Sequence, residues 1–138
     1  MKAVLLVGGE GTRLRPLTCN VPKAMVPVLN APLLEHTFRY LMKHGVREVI
    51  LAMGYLPDAI QDYFGDCSKL GLNLIYSCEQ SPLGTAGAVK SVERHLDGTF
   101  CVLNGDTVTS IDLTAMLRFH RARKARATIA LTPVSNPA

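Results

Sequence analysis

The chain has 138 residues, 48% of them hydrophobic and 19% charged, with a formal net charge of +4 and a pI near 9.0. That is enough sequence for one globular domain and excludes a disordered chain. The basic excess is too small to argue for nucleic acid, Trp is absent, and no apolar run reaches the roughly 18 residues of a membrane span.

In chain order, Ala3-Val4-Leu5-Leu6-Val7 is a short apolar run that predicts a buried strand. A loop without clear periodicity follows, up to the helical pattern from about Leu33. Leu34, Phe38, Leu41 and Met42 then form one face of a helix over 33–44, with Gly45 placed to end it. A second strand is expected at 47–53 and a short helix at 57–64, with Pro57 in its first turn. A third strand follows at 72–77, then a helix at 85–96 opened by Gly84. Asp97-Gly98 turns the chain into a fourth strand at 99–103. Asp112 caps a helix running to about Lys124, and 127–132 reads as a fifth strand.

Strands alternating with helices imply βαβ units and a parallel sheet. Right-handed crossovers favour the strand order 3-2-1-4-5. The expected fold class is therefore α/β with a mainly parallel sheet. No internal repeat or linker is visible, and one domain over residues 1–138 is expected.

The four cysteines (19, 67, 78 and 101) form no C-x-x-C pair. They read as reduced structural residues of a cytoplasmic protein, and a zinc site is not supported. The first strand begins without a charged leader and cleavage site, in keeping with that localisation. His36 and His120 fall on amphipathic helices and receive no catalytic role. Met25, Met42 and Met53 read as core fillers. The basic run Arg118, Arg121, Arg123, Lys124 and Arg126 reads as a solvated face.

The loop is the chemically informative stretch. It contains Gly8, Gly9, Gly11, Thr12, Arg13 and Arg15, then Pro22-Lys23. Connections in α/β units usually take about 2–6 residues, so a loop of this length has a job. Glycines let the backbone approach a ligand closely, and successive N–H groups can form a concave anion site. Arg offers a planar fork of donors and Lys a mobile point charge, both suited to phosphate oxygens. A polyphosphate cradle at the carboxyl end of the first strand is the physical reading, which is where open α/β sheets bind ligands. A plain glycine turn with surface cations is the simpler alternative. It is disfavoured by the Thr-Arg and Pro-Lys pairs that follow.

No G-x-x-x-x-G-K-[ST] occurs, and Leu14 stands where a dinucleotide fingerprint needs its third Gly. No acidic residue ends the second strand, so a nicotinamide-dependent oxidoreductase is poorly supported. Asp106 directly follows the fourth strand, at the same sheet edge. A carboxylate there can hold Mg²⁺, which takes one or two carboxylates and substrate phosphates. Gly84 and Gly87, after the third strand, allow close approach of a flat ligand.

The pattern G-G-x-G-T-R-L-x-P-L-T at 8–18, with P-K-A-M-V-P at 22–27, resembles the signature of the sugar-phosphate nucleotidyltransferases, or NDP-sugar pyrophosphorylases. These enzymes join a nucleoside triphosphate to a sugar 1-phosphate and release pyrophosphate. The resemblance implies a Rossmann-like three-layer sandwich. It also implies that residues 1–138 are the N-terminal, nucleotide-binding portion of a catalytic domain that is a homo-oligomer at full length. Neither nucleic acid nor membrane is implied as a partner. Gly8, Gly9, Gly11 and Thr12 would hold the triphosphate. Arg13 and Lys23 would be catalytic, Arg13 on the leaving pyrophosphate and Lys23 between the α-phosphate and the incoming phosphate. Gln80 (or Glu79), Gly84 and Thr85 would face the base, and Asp106 would be a metal ligand for Mg²⁺. The L-G-T-A-G form at 83–87 looks most like members using GTP with mannose 1-phosphate. Thymidylyl, uridylyl and adenylyl transfer to glucose 1-phosphate remain alternatives, as does a non-catalytic regulatory relative that binds nucleotide sugars.

Overall fold

The structure, a computed structural model, describes residues 1–135. The chain forms two compact units, Met1–Val108 and Thr109–Ala138.

The first unit is built on a four-stranded parallel sheet. Its strands are β1 (Lys2–Val7), β4 (Glu48–Met53), β5 (Asn73–Cys78) and β6 (Phe100–Asn104), in the order β5-β4-β1-β6. These are the first four expected strands in the expected order. β1 is central, with Val4 opposite Ile50 on one side and Val102 on the other. A parallel strand covered on both faces reads as a continuous apolar run, which explains Ala3–Val7.

Alternate residues of β1 face opposite ways. Val4 packs with Ile50 and Val92, against Leu6, Ile75 and Val89. Val92 follows α3 (Gly84–Ser91), so that helix covers this face. Val7 belongs to the other set, where it meets Leu34 of α1 (Leu33–Lys43) around Gly105. Leu34, Thr37, Phe38 and Leu41 are buried at helical spacing. The Phe38 ring meets Phe64 of α2 (Pro57–Phe64) edge-on at 5.0 Å. Lys2 anchors the start of β1 by ion pairs to Glu48 (2.8 Å) and Asp97 (3.1 Å), and donates to the His95 carbonyl. The hydrogen bonds to Glu48 and Asp97 raise its pKa.

Two local details of the first unit differ from expectation. A two-stranded hairpin, β2 (Pro27–Val28) with β3 (Ala31–Pro32), precedes α1. Leu29 and Asn30 turn it with φ of 50° and 63°, the backbone of a two-residue hairpin turn. Leu29 there gives no glycine signal, so the hairpin was illegible. The helix expected at 85–96 ends at Ser91 and resumes as a 3₁₀ turn at Glu93–His95. Ser91 Oγ donates to the Ala88 carbonyl at 2.8 Å, a back-bond that competes with helix continuation.

In the second unit, α4 (Leu113–Ala122) is capped as expected, with Asp112 Oδ1 accepting from the Ala115 N–H at 3.0 Å. The basic residues Arg118, Arg121, Arg123, Lys124 and Arg126 are exposed. The fifth strand expected at 127–132 is not formed. A strand exists only through its ladder, and none of the described strands pairs with this segment. Ile129 and Leu131 are exposed. Among the described residues no helix is long and apolar enough to cross a membrane, and all four cysteines are free.

Candidate active site

The strand order decides where the site lies. β1 is flanked by β4 and β6, so the segments leaving the three carboxyl ends converge. Gly8 leaves β1 beside Gly54, which leaves β4. A Cβ on Gly54 would sit 3.1 Å from the Gly8 carbonyl oxygen, so the two backbones touch where side chains would hold them apart. On the other side, the Gly105 N–H donates to the Leu6 carbonyl at 2.9 Å. A Cβ on Gly105 would collide with Val7 Cγ1. Glycine at 105 therefore lets the chain hug β1 and delivers Asp106 to the cleft.

That cleft has a volume of about 580 Å³. Gly8, Gly9 and Glu10 line one wall, Glu79–Pro82 with Gly84 and Thr85 line another, and Asn104 with Asp106 close a third. Six of the sequence-predicted residues thus meet in one place: Gly8, Gly9, Gln80, Gly84, Thr85 and Asp106. The segment after β5 is held on both sides. The Glu79 N–H donates to the Met53 carbonyl at 2.8 Å, and Glu79 Oε2 accepts from the Leu83 N–H at 3.3 Å.

Lys23 joins the cleft through Asp106, with Nζ 2.7 Å from Oδ2. Its position follows from the glycine loop. Gly11 has φ +63°, Thr18 is buried, and Thr18 Oγ1 donates to the Gly11 carbonyl at 2.8 Å. A Cβ on Gly11 would stand 3.0 Å from Lys23 Cβ. The loop folds back on itself there, bringing Lys23 against Gly11, twelve residues earlier in the chain.

Gly11, Thr12 and Arg13 do not line the cleft wall. Thr12 and Arg13 form an exposed 3₁₀ turn, Thr12–Leu14. Arg15 Nη2 lies 3.6 Å from Glu10 Oε2. The sequence reading missed Tyr55 and Gly54 as lining residues. Tyr55 donates its phenol hydroxyl to the Cys19 carbonyl at 3.1 Å and so ties the loop to the end of β4. The signal was available, because the order 3-2-1-4 already places the residues after the second strand beside Gly8.

The donor set bears on a metal. Among the described residues no group of three or more His, Cys, Asp or Glu could cage an ion. Mg²⁺ needs no cage when it shares its shell with substrate phosphates and water. Asp106, at the edge of a cleft walled by glycine backbone, fits a cation of that kind.

A family model described as "Nucleotidyl transferase" matches residues 2–138. The chain is 43% identical over 136 residues to a mannose-1-phosphate guanylyltransferase of Mycobacterium tuberculosis, covering 98% of this chain and 38% of that one. It is 43% identical to a D-glycero-alpha-D-manno-heptose 1-phosphate guanylyltransferase of Aneurinibacillus thermoaerophilus, covering 97% and 58%. The fold superposes on HddC from Yersinia pseudotuberculosis, solved in complex with GMP-PN, with a TM-score of 0.78 and 32% identity over 86% of this chain and 53% of that one. The chain thus spans between 38% and 58% of the lengths of these proteins. By its glycine and Pro-Lys signatures, its sheet order and this match over nearly every residue, the chain belongs to the nucleotidyl transferase family.

Proposed function

We propose that this chain carries the nucleotide-binding half of a sugar-1-phosphate nucleotidyltransferase, with GTP as the nucleotide and mannose 1-phosphate as the favoured acceptor. The observation that carries the reading is the meeting of the glycine loop, the Gln80–Thr85 segment and Asp106 around one cleft. The guanylyl preference is supported by the relatives at 43% identity, which are guanylyltransferases by name.

The chemistry asked of the residues is positioning and charge neutralisation. A sugar 1-phosphate is already anionic and attacks the α-phosphorus in line, so no protein nucleophile is needed. The α-phosphorus–oxygen bond to pyrophosphate breaks as the new one forms. Gly8, Gly9, Gly11 and Thr12 hold the triphosphate, and Arg13 neutralises charge on the departing pyrophosphate. Lys23 lies between the α-phosphate and the incoming phosphate. Gln80, Gly84 and Thr85 meet the base. Asp106 would hold Mg²⁺, which supplies further neutralisation of phosphate charge when bound.

The test is a thermal-shift panel with Mg²⁺ and GTP, dTTP, UTP and ATP in parallel. A ligand at 100 times its Kd adds about 2.7 kcal/mol of stability. A shift selective for GTP is expected. A shift selective for another nucleotide moves the proposal to that base, and no shift with any nucleotide from a cooperatively melting chain refutes it for this chain.

A further inference from the structure

The Lys23–Asp106 pair is built in, with both partners held from their backbones. Asp106 is fixed by the Gly105 hydrogen bond to β1. Lys23 opens a 3₁₀ turn, Lys23–Met25, closed by the Met25 N–H to the Pro22 carbonyl (2.8 Å) and the Val26 N–H to the Lys23 carbonyl (3.2 Å). Both side chains are about two-thirds withdrawn from solvent, with 31% and 34% left exposed. The other carboxylate oxygen, Oδ1, accepts from Thr107 Oγ1 at 3.4 Å. Oδ2 therefore already has a cation against it, and Oδ1 carries one long hydroxyl contact.

An ammonium at 2.7 Å and a divalent cation cannot occupy the same side of one carboxylate oxygen. Lysine is also a point charge on a flexible four-carbon stem, able to move to a new anion without the backbone following. A triphosphate in the cleft is the competing anion. Resting on the triphosphate reading above, we propose that Lys23 is the resident counter-ion of Asp106 in the free protein. Asp106 then takes a divalent cation only together with a polyphosphate that draws the ammonium away. Metal and polyphosphate meet this pair together, because either component alone would leave Lys23 or Asp106 without its counter-ion. By linkage, each component raises the affinity for the other by the same factor.

The test is Mn²⁺ binding to the nucleotide-free chain, followed by electron paramagnetic resonance. The wild type is expected to bind Mn²⁺ weakly. Lys23→Gln, shown folded by a cooperative melt, is expected to bind about 10-fold more tightly, the worth of one charge-assisted hydrogen bond returned to the metal. The gain should vanish in Lys23→Gln/Asp106→Asn. Unchanged Mn²⁺ affinity in folded Lys23→Gln overturns the proposal.

Should Lys23→Gln fail to melt cooperatively, the exchange is read from the other side. Asp106→Asn frees the lysine, so GTP in the presence of EDTA should bind it about 10-fold more tightly than wild type. Equal or weaker binding overturns the proposal. A gain of Mn²⁺ affinity in Lys23→Gln, from a wild type that binds no triphosphate even with Mg²⁺, would refute the nucleotide reading and leave the counter-ion role standing.

Discussion

The buried hydroxyl of Thr18 donates to the carbonyl of Gly11 at 2.8 Å, closing the glycine loop on itself seven residues later. This bond and the positive φ of Gly11 define the loop's shape together. Thr18→Val keeps the volume but removes one of two donors to the Gly11 carbonyl, which still accepts from the Leu14 N–H at 2.9 Å. The loss is that of one ordinary hydrogen bond, about 0.5–1.5 kcal/mol. Chemical denaturation should show that loss, and an unchanged midpoint would mean that the hydroxyl carries no load.

Gly11→Ala forces a side chain into left-handed backbone and against Thr18 and Lys23. Such strain costs about 1–3 kcal/mol. The loop would open, so the variant should lose GTP-induced thermal stabilisation beyond its own drop in Tm. A variant that melts lower but keeps the full GTP shift would show that the loop shape is irrelevant to the ligand.

Gly105→Ala tests the approach of the Asp106 segment to β1. Its Cβ would overlap Val7 Cγ1, and relieving that contact costs about 1–3 kcal/mol by overpacking. Because Asp106 is the next residue, metal-dependent nucleotide binding should weaken together with stability. Calorimetric titration with Mg²⁺ and GTP against the wild type reads both.

Arg13 lies on an exposed turn outside the cleft wall, so its proposed role requires it to swing onto a bound triphosphate. In a catalytically active form of the protein, Arg13→Ala should lower kcat about 10²–10³-fold while barely changing stability, as for loss of one electrostatic donor. Turnover near that of the wild type would remove Arg13 from the mechanism.

Alkali should destabilise the first unit. Burial pushes the Cys101 thiol up to about 11 from 9.0, and its Sγ lies 3.6 Å from the Lys2 carbonyl. The unfolded chain therefore releases this proton at lower pH than the folded one. Stability is full below about pH 9 and falls as pH rises toward 11. Tyr76, raised to about 12 mainly by burial, extends the decline. Cys101→Ala should flatten the slope of Tm against pH between 9 and 11.

Much of the sheet was legible because β1 and β4 are buried parallel strands with apolar runs over Ala3–Val7 and Val49–Met53, separated by a helix of clear period. The site was legible at Gly8, Gly9 and Asp106 because strand ends and glycines mark themselves. The strand order places Tyr55 near Gly8, but its bond to Cys19, 36 residues away, is encoded by no local pattern. The contact between Lys23 and Asp106, 83 residues apart, was hidden for the same reason. The absent strand at 127–132 shows the converse. Its composition is that of a strand, but hydrogen bonding to a neighbour decides the state, and a run of β-formers cannot supply its own partner.

The central place of β1 has a consequence for synthesis on the ribosome. Lys2 must wait for Phe100, about 100 residues later in the chain, before its second edge is paired. At roughly 5–20 residues per second that delay is on the order of 5–20 s. Throughout it Ala3–Val7, five apolar residues with no charge and no proline, presents an open strand edge of the kind that self-associates. Slower translation lengthens that exposure, and the yield of soluble chain should fall with it.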